Sequence, residues 1–360
     1  MSQITLPIGP QHPLLKEPMA LRLGVEGERV VSAEVEIGYV HRGIERLMQE
    51  RTYLQNMVVV ERICGICSHA HATAYCQAVE ALLGVAVPAR AAAIRVLFCE
   101  LERIHSHLLW LGVLAEAIGF TTIFMYAWRE REHALDAMES ISGGRIAHGA
   151  NLIGGVRADL TPDLAIALGS ALRTIEERLG LFDDLVERDR SFHRRTQGIG
   201  LMTLDLVRAQ GVVGPMARAS GASYDVRVDA PYAAYSWLRP PVPVTEEGDV
   251  WARAWVRVRE IRHSLAICRQ LIVSLPEGPL AERVPHRVPA GEAVIRIEAP
   301  RGELLYYIQS DNSDSPARVK VRTPTLPTLM ALKQVLPGLQ TGDIATVVAG
   351  ADLCMACADR

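Results

Sequence analysis

Two CxxC pairs, Cys64-Gly-Ile-Cys67 and Cys354-Met-Ala-Cys357, lie almost a full chain apart in a sequence of 360 residues. Two intervening residues let both thiolates of a pair reach one metal. Four thiolates suit soft or borderline metals: zinc, nickel, iron or an iron–sulfur cluster. If all four serve one site, the fold must bring its two ends together. A zinc ribbon would hold its pairs about 15–20 residues apart, and a thioredoxin-like pair would sit near a βαβ pattern. Neither pattern is present. Spacing alone leaves a structural zinc and a redox metal both open.

The seven cysteines are an odd number in a long chain, which is no disulfide framework and fits a reducing, cytoplasmic setting. Cys76, Cys99 and Cys268 are single residues in apolar helical runs and read as core thiols. With 49% apolar and 22% charged residues, the chain can bury a sizeable core. A formal net charge of −3 and the lack of a polybasic block argue against nucleic acid as a partner. The start, MSQITLPIGPQHP, lacks the basic and apolar regions of a signal peptide.

Local patterning predicts a mainly α fold: a large helical bundle core with small β elements near the N- and C-terminal ends. LRLGVEGERVVSAEVEIGYV reads as a β-hairpin, within an N-terminal region of 1–44. Helical spacing covers 53–84 and 90–119, with Pro88 between them, then 122–141, 163–190 and 249–275. Thr161 and Pro162 mark a helix start. Residues 143–163 and 196–248 are loop-rich. AVIRIEAP, ELLYYIQS and ARVKVRT read as three strands, and TLPTLMALKQVL as a short helix. The expected layout is a single domain over 1–360, with a helical core at 45–290 and a small sheet and terminal cysteine motif at 291–360. Leu108–Trp128 is long and apolar, but Glu116 sits mid-segment and Gly112 and Gly119 interrupt it. A charge at mid-bilayer costs roughly 2.5 kcal/mol or more. The segment therefore reads as a buried helix broken near Gly119.

The flanks of the cysteines decide between the metals. ERICGIC with His71 four residues past Cys67, joined with a terminal D-x-C-x-x-C, resembles the nickel–iron hydrogenase large subunit. GPQHPLLKEP, GYVHRGIERL, RTQGIGLM, GVVGPMARASGASYDVR, PYAAY and EAPRGELLYYI are similar to the energy-converting, membrane-associated group of that family. They are also similar to its relative, the quinone-site subunit of respiratory complex I. The relative is expected to lack the paired cysteines, so keeping all four favours the hydrogenase.

The resemblance implies roles position by position. Cys64 and Cys354 become terminal nickel ligands. Cys67 and Cys357 bridge nickel to an iron that carries carbonyl and cyanide. Arg301 in EAPRGE overhangs the open metal position, with Asp352 near it. His71 hydrogen-bonds a bridging thiolate, and Glu17 is the first proton relay beside a terminal thiolate. Glu45 would bind a third metal, magnesium or iron, but the usual C-terminal histidine of that site is Arg360 here. His69 reads as structural, as does His12 in a hydrogenase, though in the complex I relative its segment approaches quinone; Arg218, Asp225 and Arg227 read as an ion-pair network. Leu353 stands where the family usually has proline. Ala356 and Ala358 replace the usual threonine or serine near the last cysteine.

The resemblance further implies hydrogen evolution from a low-potential donor such as ferredoxin, within an ion-pumping membrane complex. Electrons would leave through a small subunit carrying an iron–sulfur cluster, because the nickel–iron site uses every paired cysteine. Further iron–sulfur and membrane subunits and maturation proteins are expected partners. The expected location is cytoplasmic, peripheral on the inner face of the cell membrane. The end at Arg360 reads as a mature form or one made without a C-terminal extension. The alternatives are a complex I-like quinone or scaffold subunit without nickel, and a structural zinc protein.

Overall fold

A computed structural model describes residues 3–360; the first two residues of the expected 1–44 region lie outside it. The chain begins with a three-stranded antiparallel sheet of β1 (Ile4–Ile8), β2 (Ala20–Glu26) and β3 (Arg29–Glu36). The expected hairpin is β2–β3, turned at Gly27 with φ 61°. Leu21, Leu23 and Val25 of β2 alternate into the core. β1 is an addition to the expected hairpin. Its residues are mostly exposed and Pro7 interrupts the run, a pattern tolerated at a sheet edge.

Five helices follow: α1 (Ile44–Gln49), α2 (Tyr53–Glu61), α3 (Ser68–Leu83), α4 (Ala89–Ala117) and α5 (Thr121–Ser142). Thr52 and Gln55 form a capping box that starts α2. The helical pattern of 53–84 is not continuous. It breaks at Arg62–Cys67, which carries the first cysteine pair. α4 is buried on nearly every face and forms the centre of the bundle. Leu108–Trp128 straddles its end, where Gly119 takes φ 84° and the chain turns into α5. Among the described residues no helix is long and apolar enough to cross a membrane.

The expected loop at 143–163 contains a minimal hairpin, β4 (Asn151–Leu152) and β5 (Gly155–Val156). α6 (Pro162–Arg188) starts at the expected place, with Thr161 accepting from Leu164 N–H. The loop-rich stretch holds short helices α7 (Arg190–Thr196), α8 (Leu204–Gln210), α9 (Pro215–Arg218), α10 (Val226–Asp229) and α11 (Tyr235–Leu238). After α12 (Val250–Val273) come the three expected strands, β6 (Gly291–Ala299), β7 (Gly302–Ser310) and β8 (Arg318–Arg322), paired antiparallel with β7 central. The chain ends in α13 (Thr325–Val335), a 3-10 turn at Thr341–Asp343, α14 (Ile344–Gly350) and α15 (Met355–Ala358).

Three apolar cores meet near the cysteines. One is the helical bundle of α4, α5, α6 and α12. A second joins α2 and α3 to β6–β8 and contains Cys64, Cys67, Cys354 and Cys357. The third packs the N-terminal sheet against α13 and α14 and takes in Met355. The last ten residues are thereby held between the sheet and the bundle.

Inside the bundle lies a buried ion network. Arg218 pairs with Glu260 and Glu298 at 2.8 Å and with Asp225 at 3.3 Å. Arg227 pairs with Asp225 at 2.7 Å and Glu100 at 3.1 Å, and Arg103 lies 3.5 Å from Glu100. Four carboxylates thus face three guanidiniums. The surplus falls on Glu298, whose carboxyl is pushed up to about 7 by burial and by Asp225. Removing one partner of a buried pair leaves an uncompensated charge. Arg218→Met should lower the unfolding free energy by roughly 3–5 kcal/mol in a urea titration. Arg188→Ala, which breaks an exposed pair with Asp184, should cost less than about 0.5 kcal/mol. Equal effects from both would contradict this account.

Candidate metal centre

The break before α3 places the first cysteine pair. Cys67 is the residue that caps α3, yet its side chain caps nothing. Glu102 of α4 does that work from across the core. Its carboxylate oxygens accept His69 N–H at 2.6 Å and Ala70 N–H at 3.0 Å. Burial pushes this carboxyl up to about 8, against the pull of both amides. Tertiary capture of these amides restarts the helix at Ser68 and leaves the Cys67 thiol free. The second pair is set in the same way. Glu17 accepts from Met355 N–H and, at 3.0 Å, from Ala356 N–H, at the start of α15. Arg42 ties the two motifs together, donating to Ile63 O at 2.7 Å and to Ala356 O at 3.2 Å.

All four thiols of the pairs are buried and converge. Cys64 Sγ lies 3.3 Å from Cys354 Sγ, and Cys67 Sγ lies 3.4 Å from Cys357 Sγ. Cys64, Cys354 and Cys357 form one group able to share an ion; Cys67, His71 and Cys357 form another. The thiols cannot all ionise unaided. Hydrogen bonds from Cys354, Cys357 and Cys67 hold Cys64 well below its ordinary value. Cys357 is pushed well above its own by hydrogen bonding to Cys354, Cys64 and Cys67 and by burial. For Cys67 and Cys354 the bond with Cys357 pulls down, but Cys64 and burial outweigh it and raise both. A cation at the centre would relieve this repulsion and let every sulfur act as a thiolate. The donor set therefore fits a soft metal.

The other expected residues surround the sulfurs. His71 is buried, with Nε2 3.6 Å from Cys357 Sγ and Nδ1 2.7 Å from the Tyr306 hydroxyl. Arg301 Nη2 lies 2.9 Å from Asp352 Oδ1, and its Nε donates to the Asp352 carbonyl at 3.0 Å. Its Nη1 has no partner among the described residues. Asp352 takes a left-handed backbone, φ 51°, a conformation that costs a non-glycine residue strain and collects at functional sites. Arg257, lying 4.0 Å over the Trp110 ring, reaches the other Asp352 oxygen at 3.3 Å. Glu17 Oε1 lies 3.9 Å from Cys354 Sγ, and burial raises its pKa.

Two cavities flank the centre. A void of about 10 Å³ is bounded by Cys67, Cys357, Arg301, Leu304 and Thr323. On the other side an apolar chamber of about 360 Å³ runs between Leu14, Leu15, Trp110, Val113 and Leu353, with Glu17, Arg301 and Asp352 on its wall. The half-exposed Lys16–Glu116 pair, 2.6 Å, also lines it.

Glu45 lies apart from the thiols. It pairs with Lys320 and Arg360, each at 3.0 Å, and accepts Val321 N–H. Burial opposes its ionisation, but Val321 N–H, Lys320 and Arg360 hold its pKa low. His12 only accepts Leu14 N–H in an exposed turn, and His69 bonds Arg95 O and stacks on Phe98. Cys76, Cys99 and Cys268 are buried and raised by burial, away from both groups. Sequence reasoning missed Glu102, Tyr306, Arg257, Thr323 and Thr325. Thr323 Oγ1 donates to Cys357 O and Thr325 Oγ1 accepts Cys354 N–H, so hydroxyls absent from the terminal motif come from the segment that leads into α13. Arginines inside the apolar helix of 249–275 were the one local signal.

Residues 117–287 and 282–360 match the family described as respiratory-chain NADH dehydrogenase, 49 Kd subunit, and residues 42–161 match nickel-dependent hydrogenase. The chain is 40% identical to the carbon monoxide-induced hydrogenase of Rhodospirillum rubrum, covering 100% of both chains. It is 37% identical to NADH-quinone oxidoreductase subunit 4 of Thermus thermophilus, covering 99% of this chain and 94% of the other. A chain of the membrane-bound sulfane sulfur reductase, an archaeal respiratory membrane complex, superposes with a TM-score of 0.95 at 32% identity, covering 99% and 98%.

Buried neutral histidines make the fold acid-sensitive. Burial brings His69 down to about 3 and His107, beside Glu260, down to about 4, from 6.5. Between these values and 6.5 the unfolded chain binds protons that the folded chain refuses. The contribution of these two histidines to stability is therefore complete above pH 6.5 and is lost as pH falls toward 4. His107→Gln, which keeps a donor for Glu260, should reduce that loss by about 3 kcal/mol. Unfolding titrations at several pH values check this; an unchanged slope would contradict it.

Proposed function

The chain belongs to the family that joins the 49 Kd subunit of respiratory-chain NADH dehydrogenase with the nickel-dependent hydrogenases, and on that premise we propose that it is the catalytic subunit of a nickel–iron hydrogenase. It interconverts protons and electrons with molecular hydrogen, evolving hydrogen from reduced ferredoxin inside an ion-pumping membrane complex. The observation that carries this reading is the meeting of four buried thiols from opposite ends of the chain, flanked by His71, Arg301 and Glu17. When bound, a nickel held by Cys64, Cys67, Cys354 and Cys357, with an iron bearing carbonyl and cyanide at Cys67 and Cys357, supplies the redox centre for heterolytic cleavage or formation of hydrogen.

The protein's own groups divide the remaining work. Glu17 sits between Cys354 Sγ and the chamber wall, where its Oε1 can take and pass a proton. Its raised pKa moves that carboxyl toward neutral pH. Asp352 locks Arg301 through two of its nitrogens, which leaves Nη1 to hold or polarise small species. His71 Nε2 faces the Cys357 sulfur at 3.6 Å, where it can tune that sulfur. Cys67 and Cys357, which would hold the iron, border the small void together with Arg301, Leu304 and Thr323. A third metal at Glu45 would have to displace Lys320 and Arg360.

The remaining three cysteines are scattered in the core, so electron transfer calls for a small subunit with an iron–sulfur cluster. Iron–sulfur and membrane subunits complete the proposed assembly, with this chain on the inner face of the membrane. Maturation proteins install the metals. One observation favours the rival reading, a quinone-site subunit without nickel: the apolar chamber of about 360 Å³ is far larger than hydrogen needs. A structural zinc would also satisfy four thiolates.

In the assembled complex Cys67→Ala should abolish both nickel binding and hydrogen evolution; full activity would refute the site. Glu17→Gln should retain nickel but lower hydrogen evolution by about 10²–10⁴-fold. Unchanged turnover in that variant would remove Glu17 from the proton route.

A further inference from the structure

His71 faces the sulfurs with one nitrogen and the core with the other. Nε2 lies 3.6 Å from Cys357 Sγ and Nδ1 lies 2.7 Å from the Tyr306 hydroxyl. The ring is fully buried and its partners are a hydroxyl and a sulfur, with no carboxylate among them; a neutral imidazole there has one donor. Two arrangements satisfy the distances. In the first, His71 Nδ1–H donates to Tyr306, and the bare Nε2 lone pair faces a sulfur. The Tyr306 hydrogen is then stranded, because His71 is the only partner of that hydroxyl among the described residues. In the second, Tyr306 donates to Nδ1 and Nε2–H donates to Cys357. A Cys357 S–H could reach the bare Nε2 in the first, so what separates the two is the Tyr306 hydrogen: the second pairs it and the first strands it in the core.

Tyr306 is built to hold this position. It lies on β7, the central strand, with Ile295 and Val321 opposite it in register. The ring is fully buried, edge-on to Tyr75 at 6.4 Å and to His71 at 5.8 Å. We infer that Tyr306 is a positioning residue: its hydroxyl donates to His71 Nδ1 and keeps the histidine proton on Nε2, directed at the Cys357 sulfur. A donor to a shared thiolate withdraws electron density from it and tunes whatever metal it holds. The effect on the metal rests on the hydrogenase reading; the tautomer does not.

The test uses the full chain labelled with isotopic nitrogen in histidine, with His71→Gln to assign the resonances. Wild type should show a bare Nδ1 and a protonated Nε2 at His71. Tyr306→Phe, which keeps the ring and its packing, should shift the population toward the other tautomer. A protonated Nδ1 in wild type, or an unchanged tautomer in Tyr306→Phe, overturns the inference. The wild-type spectrum decides the tautomer even if the variant fails to fold. In the complex from its native host, Tyr306→Phe should shift the carbonyl and cyanide infrared bands and weaken nickel affinity or activity about ten- to a hundred-fold. Unshifted bands would overturn the action on the centre. Absence of those bands in wild type would sink the hydrogenase reading and leave the tautomer result standing.

Discussion

Four thiols cannot be buried within van der Waals contact as four anions. Like charges at such spacing in a low-dielectric interior repel by far more than any single hydrogen bond returns. The lowered Cys64 and the raised Cys67, Cys354 and Cys357 express that conflict in the protein alone. A cation resolves it, and much of the surrounding structure serves to present the sulfurs to one. Glu17 and Glu102 each hold the first amides of a cysteine-bearing helix, so that neither cysteine spends its sulfur on capping. Arg42 bridges the two motifs, and Asp359 accepts Gly38 and Val40 N–H, which fixes the chain end against the segment before α1.

The surroundings differ in kind on the two sides of the sulfurs. Towards β7 and the start of α13 the packing is tight, with the hydroxyls of Tyr306, Thr323 and Thr325 paired and only a small void left beside Leu304. Towards α4 the wall is apolar and open enough for a guest of organic size. In this chain the four buried thiols and the fixed Arg301–Asp352 pair weigh toward the proposed chemistry at a metal. The buried ion network joins α9 to α12 and β6 through Arg218, and α10 to α4 through Arg227.

Legibility in the sequence followed distance along the chain. Local signals gave the β2–β3 hairpin, the start of α6 at Thr161 and the turn at Gly119, because each is set by residues that touch in sequence. Cysteine spacing and flanking motifs named residues that the fold does bring together: Cys64, Cys67, His71, Glu17, Arg301, Asp352, Cys354 and Cys357. What could not be read was set by contacts far apart. The break at Arg62–Cys67 depends on Glu102, β1 pairs despite Pro7, and the carboxylates that balance Arg218 and Arg227 lie on three separate elements besides Asp225. Tyr306 looked like one more core residue in an alternating strand, since nothing local marks a hydroxyl that meets a histidine.

The central claim is that the four thiolates hold nickel beside an iron with diatomic ligands. Elemental analysis of the complex purified from its native host, with infrared spectra in the carbonyl and cyanide region, tests it most directly. The account predicts about one nickel per chain together with metal-bound carbonyl and cyanide bands. Zinc or no metal, with no such bands, would contradict it and turn attention to the apolar chamber as the working part of the molecule.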